Sequence, residues 1–230
     1  MEYRLIKKAT FLHRPNRFIA RVLIDGKEEV VHVKNTGRCR ELLQTGADVI
    51  LEKSSNPNRK TKYSLIAVYK GDLLINIDSQ APNTVVFEGI RNNRIPEIHP
   101  VTILKKEMSF GRSRFDLYFE NDMKQQGFIE VKGVTLENQG VAMFPDAPTL
   151  RGTKHIQEMI RAVEEGYQGY IFFLVQMKRI NYFTPNTLMD PKFSEALSEA
   201  HQAGVQILAY DALVTEKSLI LGDKIKTLLL

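Results

Sequence analysis

The stretch from Gly111 to Lys132 (GRSRFDLYFENDMKQQGFIEVK) restricts the fold more than any other part of the chain. Two β-like runs, 114–120 and 127–132, flank a polar turn. One carries Asp116 and the other carries Glu130-Val131-Lys132. Side chains two apart on a strand share a face, so Glu130 and Lys132 point the same way. If the strands pair, Asp116 joins them from the neighbouring strand. Two carboxylates and an ammonium on one sheet face are costly in a core. They suit the holding of a hard divalent cation and the activation of a water. An E-x-K taken alone is more often a solvated surface ion pair.

The rest of the chain permits such a site. Its 230 residues allow one large domain or two small ones. A net charge of +5 suits a polyanionic partner without establishing one. The single cysteine, Cys39, excludes an intrachain disulfide and gives no sign of an oxidising compartment. The opening MEYRLIKKATFLHR lacks the apolar run of a signal peptide, and the longest apolar run, 170–175, is too short to cross a bilayer. The expectation is a soluble, cytoplasmic protein with no membrane association.

The first third reads as strands around a short helix. Runs 17–25 and 28–34 meet at Asp25-Gly26, a hairpin signal, and 8–13 makes an opening strand. Residues 37–44 (GRCRELLQ) read as a helix closed by Gly46. Strands at 48–53, 62–70 and 73–77 follow. Three strands, a helix and further strands fit an OB-type barrel, with an SH3-like barrel or a meander as alternatives. OB barrels often bind single-stranded nucleic acid. Candidate contacts are Arg59, Lys60 and Lys62 in the 54–62 loop, and Arg38 at the start of the expected helix. Phe18, Tyr63 and Tyr69 are either stacking platforms or barrel core.

A polar, proline-containing segment, 78–83, divides the chain into 1–80 and 81–230. Beyond it come a helix (82–93), strands at 101–110, 114–120 and 127–134, a loop (137–148), a helix (149–165), a buried strand (168–176), a helix (192–203) and a strand (205–210). The expected class is α/β: an OB-like barrel, then a mixed sheet with helices on its faces.

Helix 149–165 offers two stripes. Arg151, Lys154, His155 and Glu158 line one side. Ile156, Met159, Ile160 and Val163 line another and would pack on the sheet, leaving the basic stripe free. Cations near a helix N-terminus oppose the macrodipole, which makes sense opposite phosphate. Alone, His155 is more often a hydrogen-bonded structural residue. Arg112 and Arg114 frame the turn before Asp116, and Arg114 either reaches a phosphate or neutralises Asp116. No Walker loop, dinucleotide glycine pattern or nucleophile elbow is present, so no nucleotide cofactor is expected.

The αβββαβ order, with Asp on the second strand and E-x-K on the third, resembles the PD-(D/E)XK nuclease superfamily. The strings SRFDL, IEVKGVTL, AMFPDAPTLRGTKHI and ILAYDA, with 35–38 (NTGR), resemble the sugar fermentation stimulation (SfsA) family over nearly the whole chain. The resemblance implies an OB-like domain followed by a nuclease-like domain, an association with DNA binding, and regulation of sugar fermentation. It carries the metal site onto Asp116, Glu130 and the Val131 carbonyl, with Mg²⁺ or Mn²⁺ as the ion and Lys132 as the catalytic lysine. The superfamily's helical glutamate falls on Glu88, with Glu107 as a competitor. Phe115 stands where the motif prefers proline, and Pro145-Asp146 comes too late in the chain to supply the motif aspartate. The resulting expectation is a metal-dependent phosphodiesterase acting on DNA or RNA. The alternative is a DNA-binding regulator on a non-cleaving nuclease scaffold. An unrelated small-molecule enzyme has the least support.

Overall fold

The computed structural model describes residues 1–35 and 37–229, so position 36 of the NTGR string lies outside the described residues. Six strands open the chain: β1 (Ile6–Asn16), β2 (Ile19–Ile24), β3 (Lys27–Val33), β4 (Asp48–Lys53), β5 (Tyr63–Lys70) and β6 (Leu73–Asn76). They pair in the order β3-β2-β1-β4-β5-β6, and β3 returns to β5 in parallel (His32↔Ser64, Val33↔Leu65). That last pairing closes a five-stranded OB barrel with β6 at its margin. Alternation fills the interior: Ala20 and Val22 on β2 and Val31 and Val33 on β3 are buried while their neighbours are not. The β2–β3 turn uses Asp25 and Gly26, both at positive φ, which is the backbone that a two-residue hairpin requires.

Residues 37–44 do not form the expected helix. Cys39 sits at φ 45°, outside the helical region. The Arg14 guanidinium also takes the carbonyls of Gly37 and Arg38, which a helix would use for its own ladder. What remains is one turn, with the Leu43 N–H donating to the Cys39 carbonyl at 2.9 Å.

After the barrel come α1 (Ala81–Arg91), β7 (Val101–Phe110), β8 (Ser113–Asn121), β9 (Gln126–Val134), β10 (Leu136–Asn138), β11 (Val141–Phe144), α2 (Leu150–Glu164), β12 (Gln168–Val175), β13 (Tyr182–Pro185), α3 (Pro191–Gln202), β14 (Gln206–Val214), β15 (Leu219–Lys224) and β16 (Lys226–Thr227). The main sheet runs β15-β14-β12-β9-β8-β7. Its centre is parallel (β9, β12, β14) and its margins are antiparallel, so the sheet is mixed. β12 is buried on both faces, as its unbroken apolar run predicts. The segment 137–148, expected as a loop, instead holds most of a small hairpin. β10 and β11 turn at Gln139-Gly140 and join a second sheet, β10-β11-β13-β16.

α1 covers one face of the main sheet through Val85, Val86 and Ile90. α2 and α3 cover the other, and the core beneath them is continuous with the barrel interior. A buried polar joint reinforces this union: Asn76 and Gln176 exchange backbone and side-chain hydrogen bonds, and the Asn76 amide donates to the Tyr3 hydroxyl. No helix among the described residues is long and apolar enough to cross a membrane.

Candidate active site

β8 and β9 pair antiparallel in the register Leu117↔Ile129 and Tyr118↔Phe128. Continuing one step sets Asp116 against Glu130, and there the ladder gives way. The Val131 N–H donates to the Asp116 Oδ2 at 2.8 Å, so a side chain accepts what a neighbouring carbonyl would take in a regular pair. The strand also turns over at this point. Phe115 packs in the core under α2, whereas Leu117 packs against α1, although residues two apart normally share a face. Opposite, on β7, Glu107 has φ 57°.

The second oxygen of Asp116 is held from α1. Asn83, in the first turn after Pro82, donates Nδ2 to Oδ1 at 2.8 Å. Glu88 does not reach this site. It lies five residues, and so about 140° of helix, beyond Asn83. Its Oε2 pairs instead with the N-terminal amine of Met1 at 2.6 Å. Glu107 also fails to reach it, pairing at 3.6 Å with Arg114 on the exposed surface. Arg114 therefore neutralises Glu107 and not Asp116.

Glu130 is 3% exposed, and both Lys132 Nζ and His155 Nδ1 bond to its Oε1, the latter at 2.6 Å. A carboxylate only accepts, so Nδ1 carries the His155 proton and Nε2 faces the Arg151 Nε at 3.5 Å. Glu130 Oε2 is buried with no hydrogen-bond partner among the described residues. Burial alone would raise the Glu130 carboxyl, but the bonds from His155 and Lys132 hold it below its ordinary value. Asp116 is shifted the opposite way: burial and then the Glu130 charge push its carboxyl up.

His155 was expected on a free basic stripe and is instead buried. The inward face of α2 consists of Gly152, His155, Ile156, Met159 and Ala162. Gly152 sets this phase, since a Cβ there would lie 3.1 Å from Phe193 of α3. The helix start is anchored twice. Thr149 Oγ1 accepts from the Gly152 N–H, and Asp190, the α3 cap, accepts from the Thr149 N–H. Arg151 and Lys154 are exposed on the outward side. Arg112 is exposed as well, and its N–H donates to Glu158.

Among the described residues no three His, Cys, Asp or Glu side chains form a metal cluster. Two carboxylates with backbone oxygen are nevertheless a sufficient protein share for a hard cation that keeps its waters. The fit rests on the orphaned Glu130 Oε2 and on the unfavourable proximity of the two carboxyl groups, both of which a divalent cation would relieve. The donors within reach are oxygens, the choice of Mg²⁺, Mn²⁺ or Ca²⁺ over softer metals. The Val131 backbone belongs to this point of the sheet through its N–H.

A cavity of about 320 Å³ follows along β9, lined by Gly133, Thr149, Gln176 and the barrel residues Asn35 and Gly37, and by none of Asp116, Glu130, Lys132 or His155. Asp146, too late in the chain for the motif, stands on its wall. The expected barrel contacts divide. Lys60 and Lys62 are exposed in the β4–β5 loop, and Arg59 is half-buried against Thr61. Arg38 lies elsewhere, beside Arg14, Arg17 and Arg40 in a second cavity. Sequence reading missed these three, although R14-P-N-R17 and R38-C-R40 are visible as paired arginines. Of the aromatics, Phe18 is 46% exposed under the Arg17 guanidinium, while Tyr63 packs on the core and Tyr69 bonds to Glu216.

Both halves of this architecture have known counterparts. The family model described as "SfsA N-terminal OB domain" matches residues 12–77, and that described as "Sugar fermentation stimulation protein RE domain" matches 80–218. A sugar fermentation stimulation protein homolog of Alkaliphilus oremlandii is 60% identical over 229 residues, covering 98% of this chain and 97% of its own. One from Desulfitobacterium hafniense (strain Y51) is 53% identical over 223 residues, covering 97% and 96%. The solved structure of Pyrococcus furiosus SfsA in complex with Ca²⁺ superposes with a TM-score of 0.90 at 29% identity, covering 99% of this chain and 98% of that one. With a family model spanning more than half its length and relatives this similar from end to end, the chain belongs to the sugar fermentation stimulation protein family.

Proposed function

We propose that this protein is a divalent-metal-dependent phosphodiesterase of the PD-(D/E)XK kind that acts on nucleic acid, DNA in the first instance. The observation that carries the reading is Glu130 Oε2, buried and unpartnered, near enough to the half-buried carboxylate of Asp116 for its charge to be felt there, with the Lys132 ammonium fixed on the same glutamate. The Ca²⁺ held by the Pyrococcus relative supports a divalent ion here. Residues 1–80 form the nucleic-acid-binding barrel in this reading, and 81–230 form the catalytic domain.

Asp116, Glu130 and the Val131 carbonyl would hold Mg²⁺ or Mn²⁺. When bound, the ion supplies charge neutralisation at the phosphate and a water of lowered pKa. The chain's own residues do the remainder. Asn83 and the Val131 N–H fix both oxygens of Asp116, so its carboxylate cannot rotate away. His155 and Lys132 occupy Glu130 Oε1 and leave Oε2 unpartnered, so that it could take a cation. Such supporting hydrogen bonds orient ligands and raise metal affinity. Lys132, held against Glu130, orients the attacking water and stabilises the negative charge that develops on the phosphoryl oxygens. The exposed Arg151, Lys154 and Arg112 contact flanking phosphates.

The test is cleavage of single- and double-stranded DNA and RNA with Mg²⁺ or Mn²⁺, comparing wild type with Asp116→Asn. Metal-dependent cleavage by wild type alone is expected. Equal activity in the two proteins would remove the assigned site. Salt-sensitive binding without turnover in any metal would favour the second reading, a DNA-binding regulator on a silent nuclease scaffold, for which the net positive charge is the motive.

A further inference from the structure

The barrel carries a second cavity, of about 420 Å³, whose lining includes Arg14, Arg17, Arg38 and Arg40 and no carboxylate. Its apolar floor is Phe11 and Leu43. Arg14 is not a free cation. Its guanidinium donates to the carbonyls of Arg17, Asn35, Gly37 and Arg38 at 2.6–2.9 Å, fastening the β1–β2 turn to the segment after β3. The other three guanidinium groups stand exposed on that fastened frame. Like charges gathered round one hollow repel, and an anion offsets that repulsion. Because Arg14 fixes the backbone beneath them, little ordering cost is left for binding.

Gly37 is a wall of this cavity and of the one lined by Gly133 and Thr149. A Cβ at Gly37 would come within 2.6 Å of Asp146 Oδ2, so barrel and catalytic domain nearly touch there. Both hollows are of small-ligand size, roughly the 300–1,000 Å³ that takes one organic group and no duplex. Apolar floors with polar rims suit unstacked bases, and a cationic rim suits the backbone between them.

We infer that the cavity of Arg17, Arg38 and Arg40 binds the backbone of a single-stranded polynucleotide whose chain continues past Gly37 into the cavity of Gly133 and Thr149. This rests on the phosphodiesterase reading and adds to it the substrate class and the path. The β4–β5 loop lysines are then peripheral to the strand.

The experiment measures binding of a fluorescein-labelled oligo-dT 20-mer, and of a 20-base-pair duplex, by anisotropy in EDTA across a salt series. Wild type, Arg38→Glu/Arg40→Glu and Lys27→Glu/Lys226→Glu are compared, the last two having equal net charge. Expected are tighter binding of the single strand than of the duplex, and at least a tenfold loss in the arginine variant. Its log Kd–log salt slope should be shallower by at least about 1.4, for two lost contacts at roughly 0.7 each. The lysine variant should stay within threefold of wild type. Equal or tighter binding of the duplex overturns the single-strand assignment. An arginine variant matching the lysine variant overturns the cavity. Binding that follows this pattern without metal-dependent hydrolysis in the companion cleavage assay would sink the catalytic reading alone. Hydrolysis with an unaffected arginine variant would sink this inference alone.

Discussion

Replacing Asp116 by asparagine should stabilise the metal-free protein and abolish its stabilisation by metal. In the free protein, burial and the facing charge of Glu130 both disfavour the Asp116 carboxylate and push its carboxyl up. The asparagine side chain keeps both contacts: its Oδ1 accepts from the Val131 N–H, and its Nδ2 donates to Asn83 once that amide turns over. Relief of strain at a functional site commonly gains about 0.5–2 kcal/mol. At roughly 2–4 °C per kcal/mol for a chain of this size, the variant should melt about 1–8 °C above wild type in EDTA. The sign follows from linkage. A folded-state pKa above the unfolded value means that stability is lost as pH rises through it. The advantage of the asparagine variant is therefore full above the folded pKa of Asp116 and fades as pH falls to the ordinary carboxylate range. Metal inverts the order. At a hundredfold excess over Kd it adds about 2.7 kcal/mol, or roughly 5–11 °C, to wild type and little to the variant. Differential scanning fluorimetry with EDTA, Mg²⁺, Mn²⁺ and Ca²⁺ reads all of this. A variant that melts below wild type in EDTA, or gains as much from metal, would refute the reasoning.

Three further outcomes follow from the same geometry. His155→Ala removes one of the two groups holding Glu130 Oε1, so Mn²⁺ affinity by calorimetry should fall about 10–100-fold, as for other residues that orient metal ligands. Lys132→Met should lower hydrolysis by at least about 100-fold, the scale of a lost transition-state donor, with a smaller change in oligonucleotide affinity. Glu88→Gln should leave hydrolysis intact, because Glu88 holds the N-terminal amine; the pair is 46% exposed on the glutamate side, so the stability change should stay within about 1 kcal/mol.

Patterns of short period were legible in the sequence. The alternation in β2, β3 and β8, the unbroken apolar run of β12 and the order of elements after residue 81 led to a barrel and a mixed sheet. What was not legible depended on partners distant in the chain. The 37–44 stretch has helix-forming residues, but Arg14 takes its carbonyls from another part of the barrel. Glu88 and Asn83 both lie on α1, and only the placement of Met1 at one and β8 at the other separates their roles. For α2, the apolar stripe of Ile156, Met159, Ile160 and Val163 and the face that is buried share Ile156 and Met159, and their centres differ by only about 55° at 100° per residue. Gly152 packing on Phe193 decides between them and turns His155 inward. A small sheet built from strands as short as β10 and β16 carries too few residues for a periodic signal.

The site itself depends on an interruption of the regular pattern. A strand that alternated through Asp116 would keep Phe115 and Leu117 on one side, yet they enter different cores. At the turn-over the Asp116 side chain replaces a backbone acceptor for the Val131 N–H and reaches across to Asn83 on α1. The residue assigned to the metal is thus also part of the β8–β9 ladder, which separates two substitutions that are usually treated alike. Asp116→Ala removes the charge and also leaves the Val131 N–H without its acceptor, at about 1–3 kcal/mol for an unsatisfied buried donor. Asp116→Asn removes the charge alone. In EDTA the alanine variant should therefore melt below the asparagine variant, by roughly 2–12 °C at about 2–4 °C per kcal/mol. Hydrogen exchange at the Val131 amide should be faster in the alanine variant only. Equal melting and equal exchange would mean that the carboxylate serves the cation and not the strand.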